Sequence, residues 1–364
     1  MGVEGDARVA RLRKLWRRAS GEGADAVLTA HPPHLRYLTG FSGSTGLLVV
    51  CGPEAALFVD GRYTFQAKRE VPDGIEVVET KRFYEDAKGW LKERGASSVG
   101  IFPAYFTLDR YSRLRRALGR LRIVKLPPIV EEMRAVKDEE EVEAIRRACE
   151  LAERAFEHVL DFVKEGATEA DLYAEIVYFL LKNGSEGLPF EPIVASGENS
   201  ALPHAKPSGR RLKKGDLLIL DLGARVGGYC SDITRTVSVG RASDEAKRMY
   251  RAVWEAHRRA VERARPGMSE EGLYKVAKRE LRRHGLDEHF KHGLGHGVGL
   301  EIHEAPSLGE GRKGRLKKGM VITIEPGVYI EGVGGVRLED DYLLTATGAE
   351  RLTPKGAPPR LTEV

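Results

Sequence analysis

The chain has 364 residues, with 59 Lys and Arg against 54 Asp and Glu, 10 His, 41 Gly and 3 Cys. At ~100–200 residues per domain this length fits two domains, each able to bury a core, and three scattered cysteines (Cys51, Cys149, Cys230) exclude a disulfide framework or a Cys-rich zinc module. The net charge of +5 is a small difference between two interspersed populations, so no basic block points to nucleic acid, and no apolar run approaches the ~18–20 residues of a membrane span.

The charged first twenty residues carry no apolar signal segment, so a cytoplasmic protein is expected, with an unglycosylated Asn183-Gly184-Ser185. Charged residues reach 31% while Asn and Gln total three (Gln66, Asn183, Asn199). That composition fits a thermophile or a GC-rich genome.

Residues 7–19 repeat with a helical period that places Leu12, Leu15 and Trp16 on one face. Short apolar runs at Ala26–Thr29, Gly46–Val50 and Ala56–Val59 read as strands. Glu85–Arg94 and Leu108–Leu118 read as helices, with strands at Ser98–Phe102 and Arg122–Leu126. Residues 1–128 therefore form an α/β domain, closed by Pro127-Pro128. The second domain, 129–364, opens on a long amphipathic segment from Asp138 whose first turns are acidic, as the helix dipole favours.

An internal repeat follows. RLKKGDLLILD (211–221) matches RLKKGMVITIE (315–325), and EGATEADLY (165–173) matches PGMSEEGLY (266–274), with Thr168 and Ser269 as equivalent N-caps. Each copy ends an apolar strand on a carboxylate, Asp221 or Glu325, and each supplies a second one downstream. A hairpin centred between Val226 and Gly227 would set Asp232 directly opposite Asp221, with Cβ atoms ~4.5–5.5 Å apart. In the other copy Glu325-Pro-Gly opens a turn and VRLED returns with Glu339. Like charges side by side on a buried sheet are unfavourable without a neutralising cation.

Five histidines (His284, His289, His292, His296, His303) fall within twenty residues, around HGLGHGVGLEIHE (292–304). The glycines there disfavour a helix and would let backbone approach a ligand. Imidazole with several carboxylates suits Mn²⁺, Co²⁺, Fe²⁺ or Zn²⁺, and four carboxylates with a histidine suit two ions ~3.5–4 Å apart. GEGRKG (309–314) lacks a preceding strand and is no dinucleotide fingerprint, and Cys230 reads as filler on the other face of its strand.

The motifs ALPH (201–204), LDLGARVGGYCSDITRT (220–236), HGLGHGVGLEIHE (292–304), TIEPGVYI (323–330) and GGVRLED (334–340) resemble the creatinase/aminopeptidase P/prolidase family of metallopeptidases. YLTGFSGSTG (37–46) and FVDGRYTFQA (58–67) resemble its aminopeptidase P branch. The resemblance implies an α+β architecture: a pita-bread catalytic domain built from the duplicated helix–strand unit, preceded by a smaller creatinase-type α/β domain. It implies Asp221, Asp232, His296, Glu325 and Glu339 as ligands of two divalent ions, manganese first, then cobalt, iron or zinc, with Asp232 and Glu339 bridging. His204 and His303 would bind the scissile carbonyl, His292 would line the proline pocket, and Tyr329 with Arg337 would stand behind the metals. Glu325 would also accept the proton of the attacking water.

One departure concerns Ser307, which stands where prolidases often carry an arginine able to engage a dipeptide's carboxylate. The expectation is thus an Xaa-Pro aminopeptidase acting on proline-containing peptides, with prolidase as the enzymatic alternative and a non-enzymatic peptide-binding module as the alternative of another class. A homodimer is expected from the same resemblance.

Overall fold

Alternating short apolar strands and amphipathic helices build the first part of the chain. In the computed structural model, which describes residues 7–364, these residues divide into two compact units, the first ending at Arg134 and the second running Ala135–Val364. The first unit carries strands β1 (Ala26–Thr29), β2 (Leu47–Cys51), β3 (Glu54–Val59), β4 (Ile75–Glu79), β5 (Ser98–Ile101) and β6 (Arg122–Lys125) in one sheet of order β4-β3-β2-β1-β5-β6. Helices α1 (Ala7–Gly21), α2 (Pro32–Thr39), α3 (Thr64–Glu70), α4 (Phe83–Glu93), α5 (Leu108–Leu118) and α6 (Ile129–Arg134) complete it. Sequence periodicity did not resolve α2, α3 or β4. Two prolines open α2, α3 has seven residues, and β4 has only one buried side chain, so none shows a clear apolar period.

The second unit is a duplication, and its hydrogen bonds show it. Helices α7 (Glu139–Leu160) and α8 (Glu169–Lys182) precede β7 (Ile193–Ser196), β8 (Leu217–Leu222), the short hairpin β9 (Arg225–Val226) and β10 (Tyr229–Cys230), and β11 (Ile233–Ser238). The second copy has α9 (Asp244–Arg263), α10 (Glu270–Arg283), β12 (Gly295–Gly297), β13 (Glu304–Leu308), β14 (Val321–Ile324), β15 (Gly327–Ile330), β16 (Gly334–Arg337) and β17 (Asp340–Leu344). Strands β18 (Ala349–Arg351) and β19 (Thr362–Glu363) finish the two sheets, β19-β11-β8-β7 and β13-β12-β14-β17-β18. Thr168 and Ser269 cap α8 and α10, each accepting from the backbone N–H three residues on. Thr168 bridges Arg211 as Ser269 bridges Arg315, and each arginine donates to a glycine carbonyl, Gly166 or Gly267, at 2.8 Å.

Strand alternation decides which side chains reach the site. Leu218, Leu220, Leu222, Ile233 and Val237 join the apolar layer under α7 and α8, while Ile322, Ile324, Tyr342 and Leu344 join the layer under α9 and α10. The residues between them, Asp221, Asp232, Thr234, Glu325 and Glu339, consequently leave the sheets on the face away from the helices. The two sheets meet there, where Thr234 bridges Glu339 and the Thr236 hydroxyl donates to the Arg337 carbonyl at 2.9 Å. No helix among the described residues is long and apolar enough to cross a membrane.

The hairpin register differs from the sequence expectation by one residue on each strand. Gly227 and Gly228 occupy the turn with φ of 60° and 83°, between Val226 and Tyr229, which pair. Two adjacent glycines satisfy the positive-φ demand of a type I′ turn, and this moves the centre one peptide along. Thr234, not Asp232, lies opposite Asp221, so the two carboxylates are diagonal neighbours. In the second copy the direct pairing occurs: Ile324 opposes Asp340 and Gly327 opposes Arg337, which sets Glu325 across from Glu339.

Candidate metal centre

The candidate residues converge on one cavity of about 660 Å³ in the second unit, lined by Asp221, Asp232, Glu325 and Glu339 with His204, His292, His296, His303 and Arg337. Tyr329, the remaining candidate, stands behind the wall and joins two of its members. Its hydroxyl meets His292 Nε2 at 2.9 Å and accepts from Arg337 at 2.7 Å. His284 and His289 do not enter the cavity. His284 pairs with Glu255 at 2.9 Å elsewhere on the unit, and His289 ends a short 3₁₀ turn.

Ligand atoms of Asp232, His296 and Glu339 lie within 4.8 Å of one another. His296 Nε2 is 3.5 Å from Asp232 Oδ2 and 3.7 Å from Glu325 Oε1. The Arg337 guanidinium donates to Asp221 Oδ2 at 2.5 Å and to the Thr234 hydroxyl at 3.2 Å, and that hydroxyl donates to Glu339 Oε2 at 2.6 Å. The backbone N–H of Asp232 donates to Asp341 Oδ2 at 2.9 Å.

One oxygen on each of Asp221, Asp232 and Glu339 is buried without a hydrogen-bond partner. Burial, then the charges of Asp221, Asp341 and Glu325, drives the Asp232 carboxyl well above its ordinary range. Burial and the neighbouring carboxylates do the same to Glu339, and burial raises Glu325 against the pull of His296 and Arg337. Buried carboxylates with open lone pairs and mutual repulsion form a donor set suited to divalent cations. Burial also lowers His292 to about 4 and lowers His303, so both rings are neutral at neutral pH. The tight ring contact of His296 with His303, centroids 4.2 Å apart, keeps those two histidines on one wall.

Gly293 and Gly295 line the cavity, and the glycines of 292–304 meet a packing demand as well. A Cβ on Gly295 would sit 2.2 Å from the Thr323 carbonyl, and one on Gly297 would sit 2.2 Å from the Ala305 carbonyl. They admit neighbouring strands, which then aim His296, whose own N–H donates to the Thr323 hydroxyl at 3.1 Å. Cys230 is buried with Ile145, Cys149 and Val298, away from the cavity.

Thr234, Thr323 and Asp341 were not picked out from the sequence. Each lies two residues from a candidate acid on the same strand face, at Asp232, Glu325 and Glu339, and that spacing is the signal that could have found them. A buried charge cluster lies on the helix side of the same strands. Arg235 donates to Asp340 at 2.8 Å, Glu153 at 3.0 Å and the Glu339 carbonyl at 2.6 Å, fixing the strand that carries Glu339.

Comparison with known proteins agrees with this geometry. The model of metallopeptidase family M24 matches residues 143–346, and that of the creatinase/prolidase N-terminal domain matches 8–136. The chain is 38% identical over 344 residues to an Xaa-Pro dipeptidase of Pyrococcus furiosus, covering 94% of this chain and 97% of that protein. Its fold matches an Xaa-Pro dipeptidase from Bacillus anthracis with a TM-score of 0.93 at 34% identity, covering 98% and 99% of the two chains. It also matches an X-Pro aminopeptidase from Thermotoga maritima with a TM-score of 0.90 at 37% identity, covering 96% and 100%. The alternating strands, the duplicated unit and the buried carboxylate–histidine cluster are thus those of a peptidase with a creatinase-type N-terminal domain and a pita-bread domain, and the chain belongs to metallopeptidase family M24.

Proposed function

We propose that this peptidase hydrolyses the bond preceding proline in Xaa-Pro dipeptides. The observation that carries the hydrolytic reading is the set of orphaned oxygens on Asp221, Asp232 and Glu339 beside His296 and Glu325. The proline specificity is supported by the Xaa-Pro dipeptidases of similar sequence and fold, which favour the dipeptidase alternative over the aminopeptidase expected from the N-terminal motifs. Asp221, Asp232, His296, Glu325 and Glu339 would hold two divalent ions, which when bound lower the pKa of a water and polarise a carbonyl.

The chain's own residues do the rest. Glu325, whose carboxyl burial raises, takes the proton of the attacking water and returns it to the proline nitrogen. His204 and His303 line the cavity and donate to the oxyanion that develops on the scissile carbonyl. Neutral His292, held by Tyr329, offers an uncharged wall for the pyrrolidine ring. Arg337 holds Asp221 in place, and Tyr329 holds Arg337.

Protein stripped of metal and reloaded with Mn²⁺, Co²⁺, Fe²⁺ or Zn²⁺ tests the reading on Ala-Pro and Ala-Pro-Ala. Faster turnover of Ala-Pro is expected. Preference for Ala-Pro-Ala would replace the dipeptidase with the aminopeptidase reading, which Ser307 on the cavity wall favours. Hydrolysis of neither would overturn both.

A further inference from the structure

Resting on the dipeptidase reading, a question of charge arises at the far end of the substrate. An Xaa-Pro dipeptide brings a carboxylate into a cavity already crowded with acids, and a carboxylate in such a place needs a cation. Ser307 lies on the wall and supplies none.

Two side chains of fixed positive charge line the cavity, Arg337 and Lys206. Arg337 is buried and spent: it donates to Asp221, Thr234, Tyr329 and the Pro203 carbonyl. Lys206 is exposed, and among the described residues no ion pair engages its ammonium. The other two acids of the wall are already engaged, Glu304 with Lys137 at 2.5 Å and Glu191 with the Tyr173 hydroxyl.

The backbone carrying Lys206 is fixed on both sides. Three residues before it, the Pro203 carbonyl accepts from Arg337 at 3.2 Å. Two residues after it, Ser208 donates through its N–H at 3.1 Å and its hydroxyl at 2.6 Å to the fully buried Glu169. Glu169 also accepts from Ser196 and Asn199, so one carboxylate ties both ends of the loop that presents His204 and Lys206. Pro207 follows immediately and restricts the chain further.

We propose that Lys206 is a specificity-determining residue that receives the substrate's C-terminal carboxylate, in the role that Ser307 cannot fill. The ammonium of a long flexible side chain needs no bidentate geometry, so it can meet the carboxylate from a loop.

The test compares Mn²⁺-loaded wild type with Lys206→Met, Lys206→Arg and Lys206→Glu on Ala-Pro and on its amide, Ala-Pro-NH₂. In wild type the free carboxylate is preferred. In Lys206→Met the ratio of kcat/KM for Ala-Pro over the amide falls about tenfold, carried in KM. Arginine restores the ratio and glutamate lowers it further. A carboxylate preference that survives in Lys206→Met, or a loss shared equally by both substrates, overturns the Lys206 assignment alone. Hydrolysis of neither substrate by the wild type overturns the functional reading and the assignment with it.

Discussion

Replacing Asp232 by Asn changes stability with opposite sign in the stripped and the metal-loaded protein. Asp232 is 5% exposed, its Oδ1 has no hydrogen-bond partner, and the charges of Asp221, Asp341 and Glu325 press on it. A buried polar group left unsatisfied costs about 1–3 kcal/mol, and more when charged. Asparagine keeps the shape and the open oxygen but removes the charge, so relief of the repulsion from Asp221, Asp341 and Glu325 should make stripped Asp232→Asn more stable than stripped wild type by about 1–3 kcal/mol. At about 2–4 °C per kcal/mol, the unit Ala135–Val364 should melt about 2–12 °C higher. Mn²⁺ at ~100 times its dissociation constant should then stabilise wild type by about 2.7 kcal/mol, or about 5–11 °C. The variant should gain far less, because a neutral amide oxygen is a poorer partner for the cation. Scanning calorimetry of chelator-treated protein, followed by a Mn²⁺ titration, reads both effects. If the stripped proteins melt together and Mn²⁺ shifts them equally, the carboxylate cluster is not a cation site.

Two further outcomes follow from buried charges outside the cavity. In the first unit, burial pushes Glu131 up, but bonds from His34 Nε2 at 3.1 Å and from the Tyr105 hydroxyl outweigh it and hold the carboxyl at about 2, while burial lowers His34. Both folded values lie below the unfolded ones, so this stability is complete above about pH 6.5 and drains away as pH falls toward 2. Between pH 7 and pH 3 wild type should lose about 2 kcal/mol more than Glu131→Gln in urea unfolding, and parallel losses would refute the pairing. Arg235→Met strands Asp340 and Glu153 without their cation, which should cost about 3–5 kcal/mol in the same assay. A cost below about 1 kcal/mol would show that water or a neighbour replaces the arginine.

The duplication is the part of the fold most legible in the sequence. Thr168 and Ser269, and the carboxylates at the ends of β8 and β14, stand at nearly equal offsets, and a hydrogen-bonded unit repeats because its caps and strand ends must repeat. The strand alternation that sends Asp221 and Glu325 away from the helices is equally local, since it depends only on the pleat. The motifs identified the metallopeptidase family, whereas β4 and α3 were lost because only one buried residue marks each, and α2 because it is short, opens on two prolines and is buried through most of its length.

What tertiary structure decided is which groups meet. The turn at Gly227-Gly228 moved Asp232 from opposite Asp221 to a diagonal position, a one-residue matter that strand pattern does not control. Gly295 and Gly297 carry a further packing requirement, against Thr323 and Ala305, that shows only once the neighbouring strands are in place. Lys206 reads in the sequence as one surface lysine among many. Its isolation in a cavity of acids follows only once Arg337 is seen to be spent, because competition between charges for partners is a property of the folded volume and not of the chain.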